Sequence, residues 1–137
     1  MIILDTNVVS ELMRVPDPRV RAWIDSVAPL DLVTTVITRA EIGYGIARLR
    51  PGRKRDDLRR RADALFAEIG DRTWPFDAAA SDRYGELVAE RERLGRPISV
   101  PDAQIAAIAS ARRAALATRN VVDFDACGIA VIDPWRG

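Results

Sequence analysis

The sequence predicts one α/β domain, layered α/β/α around a mainly parallel sheet of about five strands. Three observations predict it. Short apolar runs alternate along the chain with segments of helical period, and the first run, Ile2 to Leu4, is apolar throughout, like a strand covered on both faces. The third is length: 137 residues bury one sizeable core and do not comfortably divide into two. We expect a single domain over residues 1–137.

The elements follow in order. The first strand, Ile2 to Leu4, ends on Asp5, and a short helix is expected after Asn7. A helix over Asp17 to Ser26 would bury Val20, Trp23, Ile24 and Val27. Leu32 to Thr35 is the second strand, and Thr38 is placed as N-cap of a helix reaching Leu49, with Pro51-Gly52 as its stop. Arg53 to Ile69 carries Leu58, Ala62, Leu65, Phe66 and Ile69 at helical spacing and closes on Gly70. The third strand, Thr73 to Phe76, contains Pro75, which confines it to a sheet edge. Asp77 can cap a helix to Leu94, closed by Gly95; Ser99 opens another that holds Ile105, Ala106, Ile108 and Ala109 and stops near Arg113. Ala115 to Ala117 and Ile129 to Ile132 complete the sheet.

Composition excludes several functions. No stretch approaches the ~20 apolar residues of a membrane span, and the N-terminus lacks the basic region of a signal peptide, so a cytoplasmic protein is expected. Cys127 is the one cysteine and there is no histidine, which removes an internal disulfide, Ser-His-Asp and Cys-His nucleophiles, and any ordinary zinc site. Catalysis is left to carboxylates, hydroxyls, Lys54, arginines or a bound hard metal. The net charge of +1 hides an asymmetry: Arg48 to Arg61 holds eight basic and two acidic residues. Such a patch either grips a polyanion or is a solvated helix face with internal ion pairs.

The acidic residues are placed more tellingly. Asp5 follows strand one, Glu41 lies one turn into the helix after strand two, Asp102 opens the helix before strand four, and Asn120 and Asp123 follow that strand. In a doubly wound parallel sheet all of these reach one carboxyl edge, where ligands bind. Clustered carboxylates repel, and with no histidine or thiolate set the relief would be a hard cation, Mg²⁺ or Mn²⁺. Each position also has a structural use. Asp5 can cap the helix beginning near Thr6, Ser99-Val-Pro-Asp102 matches a capping box, and Asp123 can cap a turn. Glu41, among Ile37, Ala40, Ile42 and Tyr44, is a charge that needs a partner.

Taken together, Ile3-Leu4-Asp5-Thr6-Asn7, Thr38-Arg-Ala-Glu41-Ile-Gly43, Pro101-Asp102-Ala-Gln-Ile, Ala117-Thr118-Arg119-Asn120-Val-Val-Asp123-Phe124 and Asp133-Pro-Trp135 resemble the PIN domain. More narrowly, the chain looks like the VapC and FitB toxins of type II toxin-antitoxin pairs. The motifs are individually weak and jointly specific, and they run in order through the whole chain.

The resemblance implies a PIN-like fold and a Mg²⁺-dependent endoribonuclease, with Mn²⁺ as an alternative ion. It further implies a structured RNA substrate such as transfer RNA, a VapB-like antitoxin and a homodimer, with no membrane partner. By motif, the acidic set is Asp5, Glu41 and Asp102, with Asp5 and Asp102 as metal ligands. Thr6, Asn7 and Thr118 would orient ligands, and Arg119 or the basic cluster would hold phosphates. The family's fourth acidic place falls on Asn120, which can still offer a carbonyl, and Asp123 could supply the charge. Gly43 and Gly45 each cost a helix ~1 kcal/mol relative to alanine, which predicts close packing against another element or subunit. Two other readings remain: a catalytically silent PIN domain that binds RNA or a partner, and an aspartate-nucleophile phosphatase. The phosphatase would want Asp-x-Asp where this chain has Asp5-Thr6-Asn7.

Overall fold

In the computed structural model, which describes residues 1–136, five strands and six helices alternate as the sequence pattern requires. They are β1 (Ile2–Leu4), α1 (Thr6–Leu12), α2 (Pro18–Ser26), β2 (Leu32–Thr35), α3 (Val36–Ala47), α4 (Arg53–Ile69), β3 (Thr73–Trp74), α5 (Ala78–Arg93), α6 (Val100–Arg112), β4 (Ala115–Ala117) and β5 (Val131–Ile132). Every strand pair is parallel, in the order β3-β2-β1-β4-β5. The chain steps outward from β1 to β2 and β3, then returns to β1's other side with β4. That reversal opens a crevice at the carboxyl ends of β1 and β4.

Helices cover both faces. Because successive strand residues point to opposite sides, Ile3 joins one core with Val33, Leu116, Ile105, Ile108 and Leu87, and Leu4 joins another with Ala117, Val8, Val9, Ile46 and Phe66. The first core is tightly closed: Ile3, Ile105, Ile108 and Leu116 are fully buried, each such aliphatic side chain contributing roughly 1.5–3 kcal/mol. The small residues Ala103, Ala106, Ala107 and Ala109 let α6 lie close against the sheet and α5.

Several boundaries moved, each for a local reason. The cap of α3 is Thr35, not Thr38: β2 runs directly into the helix, and Thr35 Oγ1 accepts from the Thr38 amide at 3.1 Å. Thr38 is instead fully buried inside the first turn, and α3 ends at Ala47, not Leu49. The short first helix begins at Thr6, where capping by Asp5 placed its start, rather than after Asn7. β3 lies at the sheet edge as Pro75 required, but stops at Trp74. β5 begins at Val131 because Ala126 (φ 57°) and Gly128 (φ 71°) hold the preceding chain in a turn. Finally, a Cβ built at Gly43 or Gly45 meets no atom within 4 Å, so no element of this chain packs closely on them.

Candidate active site

Asp5 closes β1 and opens α1 at once. Its amide donates to Ala117 O at 3.0 Å, continuing the ladder to β4, and its Oδ1 accepts from the Thr6 amide at 2.8 Å. The other oxygen, Oδ2, accepts from Thr118 Oγ1 at 2.7 Å and Asn7 Nδ2 at 3.3 Å. The two uses foreseen for this residue therefore coexist: one oxygen caps the helix, and the residue still lines the crevice. Only 4% of Asp5 is exposed, and burial pushes its pKa up to about 6, against the lowering effect of the Thr118 and Thr6 bonds. Asp102 and Glu41 raise it further by their charge.

Glu41 sits on α3, half-buried, where Oε1 accepts from Thr6 Oγ1 at 2.6 Å. The same hydroxyl lies 3.1 Å from Thr38 Oγ1, so two threonines from separate elements set the carboxylate's orientation. Asp102 lies in the first turn of α6, its amide donating to Ser99 Oγ at 3.3 Å in the first half of the expected capping box. Burial raises its pKa, the Ser99 hydroxyl lowers it, and the charges of Asp123 and Glu41 raise it again.

These residues meet in one cleft of about 830 Å³. Asp5, Thr6, Asn7, Glu41, Asp102 and Asn120 line its polar end. Asn120, exposed, is steadied by its amide on Thr118 Oγ1 at 3.1 Å. Thr118 is fully buried beneath Asp5, and Asn7 bridges to it, donating from Nδ2 at 3.1 Å and accepting from the Arg119 amide through Oδ1 at 3.0 Å. Asp123 and Arg119 stand outside the lining: Asp123 acts on Asp102 through its charge, and the Arg119 guanidinium lies 5.1 Å over the Trp135 ring. The basic cluster divides. Asp57 pairs with Arg60 and Arg61 along α4, as a solvated face would, while Lys54 and Arg61 line the cleft.

The rest of the cleft escaped the sequence reading. Met13, Ile42, Ile46, Leu49 and Leu58 form an apolar trough between α1, α3 and α4, with Arg14 at its rim. In sequence these look like ordinary core positions; only the gap between the helices exposes their shared side.

The donor chemistry of the polar end is oxygen alone, with a buried carboxylate whose charge is disfavoured by burial and by two acidic neighbours. This fits a hard divalent ion. Among the described residues no three acidic side chains approach closely enough to enclose an ion by themselves, so such an ion would keep part of its water shell.

Residues 2–126 match the PIN domain. The chain belongs to this family. It is 39% identical to the VapC ribonuclease Y4jK of Sinorhizobium fredii and 36% identical to the toxin FitB of Neisseria gonorrhoeae, in each case over 99% of both chains. The crystal structure of FitAcB from Neisseria gonorrhoeae superposes with a TM-score of 0.93 at 36% identity, covering 100% of both chains. The five parallel strands and flanking helices are thus the PIN architecture, and Asp5, Glu41, Asp102 and Asn120 stand at its carboxyl edge.

Proposed function

We propose that this PIN domain is the endoribonuclease toxin of a toxin-antitoxin pair, hydrolysing RNA phosphodiester bonds with Mg²⁺ or Mn²⁺ in the cleft of Asp5, Glu41 and Asp102. The observation that carries the reading is convergence. Three carboxylates, one just past β1 and the others in α3 and α6, line one crevice in a chain similar from end to end to a VapC ribonuclease and a FitB toxin.

In this reading Asp5 and Asp102 hold the ion, and Asn120 offers a carbonyl oxygen beside them. The bound cation would lower the pKa of a coordinated water and offset charge on the phosphate. Glu41, steered by Thr6, orients the attacking water and accepts its proton. Thr118 and Asn7 keep Asp5 from turning, which holds one carboxylate oxygen at a fixed place. Lys54, exposed on the cleft's α4 side, is suited to hold a neighbouring phosphate, with Arg119 outside the mouth.

An antitoxin of VapB or FitA type is the proposed partner. The apolar trough between α1, α3 and α4 suits the apolar face of a partner helix, and an arginine delivered to the polar end would replace the cation's charge. A homodimer is also proposed. Tyr44, 67% exposed, and the open space over Gly43 and Gly45 leave α3 free to receive a second chain.

The deciding experiment is cleavage of structured RNA by antitoxin-free protein with and without Mg²⁺ or Mn²⁺. Metal-dependent cutting that is lost in Asp5→Asn and Asp102→Asn is expected. No cutting, or equal cutting by both variants, would overturn the nuclease reading in favour of a silent binding module.

A further inference from the structure

Arg91, in the last turns of α5, is only 4% exposed, yet among the described residues no carboxylate lies within 4.0 Å of it. A buried guanidinium is costly unless its donors are used. Here Nε and Nη1 are spent mainly on backbone carbonyls. Nε donates to Arg96 O at 2.7 Å, and Nη1 donates to Asp123 O at 2.7 Å, to Asp125 O at 2.9 Å and to Cys127 Sγ at 3.4 Å. One side chain thereby ties the turn after α5 to the segment that follows β4.

That segment is anchored in the core by Phe124 and Cys127, and Arg91 adds a hold on its backbone. Beyond the single 3₁₀ turn at Val121–Phe124 it has no regular structure, and Ala126 turns it with a positive φ. Its link to the cleft is short. Asn120 is held by its amide on Thr118 Oγ1 and by its carbonyl, which accepts from the Asp123 amide at 3.0 Å. The carbonyl of that same Asp123 is one of those gripped by Arg91.

Resting on the ribonuclease reading above, we infer that Arg91 is a positioning residue for the cleft: its buried guanidinium clamps Asp123 and Asp125 so that Asn120 is held at the mouth opposite Asp102. It touches no substrate: it holds the segment through two backbone carbonyls and one relayed hydrogen bond, and its charge, which Arg91→Lys keeps, also acts on Asp102.

The test compares the parent with Arg91→Met, Arg91→Lys and Arg96→Ala by amide hydrogen exchange and by steady-state RNA cleavage. Arg91→Met is expected to speed exchange across residues 120–127 by about tenfold or more while α1 and α3 keep their parental rates. Its kcat should fall about 10- to 100-fold, with KM changed far less. Arg91→Lys keeps the charge, but a single nitrogen cannot serve Arg96 O and the two loop carbonyls together, so both effects should appear at smaller size. Arg96→Ala removes the surface pair with Asp125 and leaves the carbonyl that Arg91 uses; it should match the parent in both readouts.

Parental exchange at 120–127 together with parental kcat in folded Arg91→Met would overturn the inference. So would an Arg96→Ala variant as impaired as Arg91→Met, since any loosening of the segment would then suffice. Should Arg91→Met not fold, Arg91→Lys decides: the same signature supports the inference, parental behaviour overturns it. A parent that cuts no RNA defeats the ribonuclease reading alone, because the exchange comparison still judges Arg91.

Discussion

Thr118 donates its hydroxyl to Asp5 Oδ2 at 2.7 Å across a separation of 113 positions, joining the ends of β4 and β1 beneath the cleft. Thr118 Oγ1 in turn accepts from Asn7 Nδ2 and from the Asn120 amide. Thr118→Val keeps the shape and removes the hydroxyl, leaving the Asn120 amide without this acceptor and Asn7 Nδ2 with Asp5 Oδ2 alone. It should cost roughly 1–3 kcal/mol of stability in urea unfolding and about 10- to 100-fold in cleavage. Thr118→Ser, which retains the oxygen, should recover most of both.

The buried Asp5 carboxylate sets a pH dependence of opposite sign to that of a paired acid. Its folded pKa is raised from 3.8 to about 6, so the folded state holds the proton more tightly than the unfolded chain. The contribution to stability is full below about pH 4 and is lost as pH rises through about 6. Metal-free Asp5→Asn should therefore be more stable than the parent at pH 7, by up to about 3 kcal/mol, with the gap closing near pH 4. Thermal melts at the two pH values check this. Added Mn²⁺ should stabilise the parent and leave Asp5→Asn unmoved.

Thr6 joins the acidic groups from another side, donating to Glu41 at 2.6 Å. Thr6→Val frees that carboxylate to rotate without altering any phosphate contact. Single-turnover assays should show the cleavage rate down about tenfold or more with substrate affinity near the parent's, and Thr6→Ser should restore it. An unchanged rate in Thr6→Val would mean that Glu41 needs no orienting partner.

Lys54 is the one lysine in the chain and lines the cleft from α4. If it meets a phosphate, Lys54→Ala should raise KM, leave kcat nearly intact and reduce the slope of log affinity against log salt by about one. Binding titrations of inactive Asp5→Asn protein at several salt concentrations measure that slope directly. An unaltered slope would place the RNA elsewhere.

Much of the fold was legible because its signals are local. Ile2–Leu4, Leu32–Thr35 and Ala115–Ala117 stand as the apolar runs indicated, and Asp77, Ser99 and Gly70 cap helices where their side chains or lack of one predicted. Errors fell where two elements met. Thr38 looked like a cap because its hydroxyl type favours one, but β2 passes into α3 without a loop, so Thr35 takes the cap and Thr38 turns inward to Thr6. Gly43 and Gly45 implied a tight contact with another element or subunit, and no element of this chain supplies it.

Because strand and helix periods and caps depend on near neighbours, spacing along the chain determined the strands, the helix phases and the candidates Asp5, Glu41, Asp102 and Asp123, and the family resemblance singled out Asn120. Only the tertiary structure decided which groups meet and how they are held. The β1–β4 reversal sets Thr118 under Asp5, the gap between α1, α3 and α4 opens the apolar trough, and the α5 contact buries Arg91 against a distant loop. Those are contacts between residues tens of positions apart, and their energies depend on burial and mutual distance, which only the packed chain possesses.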